Sequence, residues 1–209
     1  MALKVIIGSV AALAIIGVCC FLLPKSSEEK GEHLLTSASE ALGQRAAEEV
    51  AQLLGNKGQI AVFSLDIQPR EIPNFDAEMR IFSQTLKKHG VTIAATKLMP
   101  GGLNMLMLGK TPSVKDYEEL LDQAPGAGAL VSFVGLANLR LDDYQGLQAK
   151  SPPLIVVDTF GVMKGAGLSD LFQAKLVALA LVPLTPAEVE MKKQQPNLFD
   201  RNYKILRAP

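Results

Sequence analysis

Ser151-Pro152-Pro153-Leu154-Ile155-Val156-Val157-Asp158 is the stretch on which the reading of the fold turns. Leu154 to Val157 are consecutive apolar residues, entered from a proline pair and closed by an aspartate. A strand with one wet face alternates apolar and polar residues, so an unbroken run implies burial on both faces, the condition of a parallel sheet covered by helices. The same pattern surrounds Val62 in Gln59–Asp66 and Val131 in Ala129–Val134.

Helical stretches separate these runs. Asn74–His89 carries Met79, Ile81, Phe82 and Leu86 at helical spacing and stops at Gly90, and Val91–Leu98 then reads as a second strand. After the turn Pro100-Gly101-Gly102 comes an apolar segment, Leu103–Leu108, whose type the pattern leaves open. Ser113 opens a helix with Tyr117, Leu120 and Leu121 on one face; Leu141–Lys150 reads as a short helix, Ser169–Lys175 as a helical turn or two, and Leu176–Val182 as a last core strand. Strands alternating with helices predict right-handed crossovers and an α/β fold: a three-layer, doubly wound, mainly parallel sheet of about five strands, one domain over residues 58–209. Thr185-Pro186-Ala187-Glu188 has the cap, proline and acid of a helix start. Beyond Pro196, Leu198, Phe199, Tyr203, Ile205 and Leu206 are too apolar for a solvated tail. Tyr203–Leu206 is expected as an edge strand, with Lys204 and Arg207 discouraging further pairing.

The chain opens differently. Val5 to Leu23 is 19 residues without a charge, about 28 Å as a helix and so long enough to cross a bilayer. The run is long for a secretory signal and ends in Phe21-Leu22-Leu23-Pro24, with no small-x-small cleavage site; Val18 before Cys19 does not suit a lipoprotein signal. Residues 1–24 are therefore expected to be a single transmembrane anchor in a bacterial-type cell membrane. Lys4 on one side nearly balances Lys25 and Lys30 on the other. A short tail before a long domain favours export of that domain to the periplasmic or extracellular side. Residues 25–57 are expected to be a polar tether, with Lys25–Glu32 as exposed linker, and an amphipathic helix. Its stripe is Leu34, Leu35, Ala38, Ala41, Leu42, Val50, Leu53 and Leu54, with Ser37 or Ser39 as cap and Gly55-Asn56 as stop.

Lys+Arg 21 against Asp+Glu 21, and no Trp, leave neither the basic excess nor the stacking platforms of a nucleic-acid binder. Both cysteines, Cys19 and Cys20, lie in the apolar run, so the domain has no disulfide and no cysteine chemistry.

The opening Gln59–Asp66, Asn74–Gly90, Val91-Thr92-Ile93-Ala94 and the later passage from Gly128–Val134 to Ser151–Asp158 resemble one lobe of type I periplasmic sugar-binding proteins. The resemblance covers about 100 residues of pattern. It implies a ligand-binding lobe without its second jaw, and transfers no binding residue.

Motifs for chemistry are few. Gly109-Lys110-Thr111 has the end of a phosphate-binding loop, but Asn104 stands where its first glycine belongs and Pro112 breaks the helix start, so it reads as a turn. Gly161, Gly165 and Gly167 follow a strand, yet with G-x-x-x-G-x-G rather than dinucleotide spacing; they are a loop or an anion contact. His33 and His89 are too few for a metal or acid–base site. No HExxH or G-x-S-x-G occurs, which argues against an enzyme, and neither a cofactor nor a metal is expected. Asp66 and Asp158 stand at the C-terminal ends of strands, where open parallel sheets bind ligands, and either cap their loops or share a crevice.

Three readings follow. The first is a membrane-anchored binding module for a small molecule or a protein. The second is a small hydrolase or transferase using Asp66 and Asp158. The third is an envelope component that assembles, as a homo-oligomer, through the tether helix.

Overall fold

The computed structural model describes residues 27–67, 72–99, 101–108, 110, 112–136, 152–161 and 168–208. The expected span Val5–Leu23 and the expected helix Leu141–Lys150 lie outside them. Among the described residues no helix is long and apolar enough to cross a membrane. The chain divides into two compact units, 1–35 and 36–209.

Helix α1 runs Ser27–Leu53, so it already includes most of the stretch expected as linker, and neither Ser37 nor Ser39 opens it. The charged residues there are good helix formers, and a helix nucleated on a packed C-terminal half extends through them at little cost. Its stop is the expected one: Gly55 and Asn56 are left-handed, and their amides donate to the carbonyls of Gln52 and Ala51, the double closure of a helix C-terminus. Leu42, Ala46, Ala47, Val50 and Ala51 are fully buried, while Leu53, placed on the apolar stripe by spacing, is 43% exposed.

The order continues β1 (Gly58–Leu65), α2 (Pro73–Lys88), β2 (Val91–Met99), α3 (Gly102–Met107), α4 (Val114–Gln123), β3 (Ala129–Ser132), β4 (Leu154–Val157), α5 (Leu168–Gln173), β5 (Val177–Pro183), α6 (Pro186–Lys192), α7 (Leu198–Asn202) and β6 (Tyr203–Arg207). The apolar segment of open type is thus helix α3. Six strands form one sheet in the order β2-β1-β3-β4-β5-β6. β1 to β5 are parallel, and β6 lies antiparallel on β5, with Leu181 opposite Ile205. The parallel set is the predicted one, and the expected edge strand makes six.

Register shows the layers. Phe63 and Ser132 are partners and share a face; Tyr117 of α4 meets Phe63 with 5.3 Å between ring centroids. Phe133, next in the chain, points the other way and meets Phe82 of α2 at 4.9 Å. Helices therefore cover both faces, and β1, β3 and β4 are buried almost throughout, as their unbroken apolar runs require.

Candidate functional site at the C-terminal rim of the sheet

β1 is followed by a move to β2 on one flank, whereas the chain then crosses back over β1 to reach β3. That reversal lies between neighbouring strands, and in open parallel sheets the crevice beyond it is where ligands bind. Asp66 stands on its first lip, exposed, with its backbone amide donating to the Met99 carbonyl at 3.2 Å. Gly102 presses on this point: a Cβ there would lie 2.6 Å from the Asp66 carbonyl oxygen. The second lip is the turn after β3. The Ser132 hydroxyl donates to the Gly135 carbonyl at 2.8 Å, and Gly135 has a left-handed φ of 72°.

The loop leaving β4 supplies the third part of the rim. Asp158 is 1% exposed and its amide donates to the Leu181 carbonyl at 2.9 Å. Gly161, exposed and at φ 65°, turns the chain over Pro183; Gly165 and Gly167 lie outside the described residues. β3 separates β1 from β4, so at 4.8 Å per strand the two aspartate backbones are about 10 Å apart. One carboxylate faces water and the other is buried, so the fold places them on one rim but in unlike surroundings.

Beneath the rim is a group that the sequence reading missed. Glu78 of α2 is completely buried; its Oε1 accepts from the Thr159 hydroxyl at 2.9 Å, and its Oε2 has no hydrogen-bond partner among the described residues. Burial pushes this carboxyl up to about 8, against the lowering effect of Thr159. Tyr203 of β6, raised to about 12 by burial and then by Glu78 and Asp158, closes the cluster. Phe75, one helical turn before Glu78 on α2, lies 5.6 Å from Phe160 and 6.2 Å from Phe133 between ring centroids. A signal existed: Glu78 falls in phase with Phe75, Phe82 and Leu86, a charged residue on the apolar stripe of its helix.

The other candidates fall away from this rim or from description. Lys110 sits exposed in the turn between α3 and α4, with Gly109 and Thr111 outside the described residues. His89 is the exposed C-cap of α2. The side chain of His33 is not described. Among the described residues no cluster of three or more His, Cys, Asp or Glu could hold a metal. A groove of about 490 Å³ lies at the far edge, lined by Leu168, Phe172, Ile205 and Leu206 among others, and contains none of the predicted residues.

No family model matches the chain, and no curated protein matches it in sequence. Solved structures do match in fold. An arabinose-binding protein from Geobacillus stearothermophilus aligns with a TM-score of 0.52 and 18% identity over 81% of this chain and 61% of its own. A solute-binding protein of an ABC transporter from Agrobacterium vitis, bound with α-D-tagatopyranose, gives 0.51 and 18% over 69% of this chain and 45% of its own. The XylFII–LytSN complex gives 0.51 and 14% over 81% and 60%. The fold is that of periplasmic sugar-binding proteins, as the opening strands and helices suggested, and the chain spans roughly half to three-fifths of the length of these structures.

Proposed function

We propose that this chain is a membrane-anchored, extracytoplasmic binding module that holds a small polyhydroxylated molecule at the C-terminal rim of its sheet. The observation that carries this reading is the reversal of strand order between β1 and β3, with Asp66 on one lip and the Ser132-tethered Gly135 turn on the other. An exposed carboxylate suits hydroxyl donors, and half-buried Phe160 offers an apolar face to ring C–H groups. The solute-binding folds that resemble it are bound with or named for sugars. Titration calorimetry of the full chain with arabinose, tagatose and other pentoses and hexoses is expected to give saturable heat, lost in Asp66→Asn. A flat titration across the panel counts against the reading.

A protein partner is the second reading. Leu98, Met107 and Leu108, at the end of β2 and around α3, are 48%, 72% and 74% exposed. The catalytic alternative gains no support from the unlike aspartates. For assembly through the tether helix, Leu42 and Val50 of its stripe are buried in the domain and Leu53 is 43% exposed. Residues 5–23 make the anchor in this proposal. The protein should sediment with membranes and resist alkaline carbonate, and release of a shortened soluble chain would identify a cleaved signal instead.

A further inference from the structure

We propose that the Glu78 carboxyl is a proton-operated catch joining helix α2 to the loop that leaves β4, a regulation that rests on the binding-rim reading. With its proton the rim is held together, and without it the rim loosens.

The geometry leaves an anion at this position little support. One carboxyl oxygen has a single neutral donor, the Thr159 hydroxyl, and the other has no hydrogen-bond partner among the described residues. A buried charge so placed is strongly disfavoured, whereas the neutral acid costs far less. Nor can the helix back away. Gly43 of α1 packs directly on the Glu78 backbone, where an added Cβ would strike the carbonyl oxygen. On the inner side, Phe82 and Phe75 of α2 pack against Phe133.

Among the described residues, the ionisable groups that interact around Glu78 pair elsewhere or carry no positive charge. Asp158, just after β4, and Tyr203 of β6 are an acid and a phenol, and both Glu78 and Asp158 act on Tyr203. On α1, Glu40 is paired with Arg80 of α2, and Glu49 with Arg45 and with Arg207 of β6. Phe199 of α7 stacks on Tyr203 at 5.7 Å. Ionisation of Glu78 is therefore relieved by opening, and what opens is the contact with Thr159, two residues before Gly161.

The test is hydrogen exchange of the full chain in detergent micelles, read without ligand on α2 and residues 158–161 and corrected for the intrinsic effect of pH. A group that titrates at about 8 when closed and near 4.5 when open should raise local opening on the order of fiftyfold between pH 5.5 and 7.5. Glu78→Gln should abolish that change; Thr159→Val, which keeps the carboxyl, should retain it with faster exchange at both values. Opening that is equal at the two pH values, or a rise that survives in Glu78→Gln, overturns the proposal. Should the variants fail to fold, carbon-13 NMR of the glutamate carboxyls in the unmodified chain decides: a Glu78 titration near 8 supports the catch and one near 4.5 ends it. Absent sugar binding together with intact pH-dependent exchange would instead remove the rim reading and leave the catch.

Discussion

Glu78, under the C-terminal rim of the sheet, keeps one oxygen unpartnered and is pushed up to about 8; Glu188, at the antiparallel edge, is held down at about 2. The second owes its low value first to the hydrogen bond from Lys204 of β6, then to the Thr185 amide and hydroxyl of its own capping box. At the edge, local helix-start chemistry and strand pairing agree, as they do where a sequence is selected for stability alone. At the rim a buried carboxyl is kept against its own solvation. Proteins depart from local consistency in this way at functional sites.

The largest effect expected from this contrast is at the edge. A chain ending at Pro196 loses α7 and β6, hence buried Phe199 and the partly buried Tyr203, Ile205 and Leu206, and exposes β5 as a new edge. Two or three such side chains are worth roughly 1.5–3 kcal/mol each, a large share of a domain's stability. Thermal unfolding should shift down by many degrees; a truncated chain that melts with the full one would show the edge to be dispensable.

Glu78→Gln comes next. Its raised value means that the folded state binds more protons than the unfolded one between 4.5 and about 8. The group's contribution to stability is therefore largest below pH 4.5, falls by up to about 1.4 kcal/mol per pH unit through that window, and levels off above it. Denaturant unfolding at pH 5.5 and 8 should show this slope in the unmodified chain and not in the variant. An unchanged slope would erase the contrast.

Gly43→Ala should cost about 1–3 kcal/mol, as overpacking does, because the new methyl group meets the Glu78 backbone; an unchanged denaturation midpoint would mean that α1 is free to move. The smallest effect, of opposite sign to that of Glu78, belongs to Glu188→Gln. The depressed value gives stability that is present above 4.5 and lost as pH falls toward 2, so the variant should be less stable at neutral pH with a flatter acid limb. An acid limb as steep as in the unmodified chain would show Glu188 to be unlinked to folding.

How much was legible follows from the range of the interactions. The runs around Val62, Val131 and Val156 announce doubly covered strands because burial on two faces removes polar residues from the local sequence. Thr185-Pro186 and Gly55-Asn56 mark helix ends through contacts within a few residues. The position of Asp66 at the end of β1 was legible because strand ends are local. The environment of Glu78 was not, since it is made by Gly43, Thr159 and Tyr203 from distant parts of the chain; only its phase with Phe75 and Phe82 hinted at burial. The helical nature of Gly102–Met107 was equally hidden, because six residues are too few for a period.

Amide NMR of the full chain titrated with arabinose distinguishes the rim from the rest of the surface most directly. Saturable shifts are predicted at Asp66, Gly135 and Thr159–Gly161, with those residues unmoved in Asp66→Asn. Shifts confined to the groove of Leu168, Phe172, Ile205 and Leu206, or no shifts at all, would contradict a binding rim.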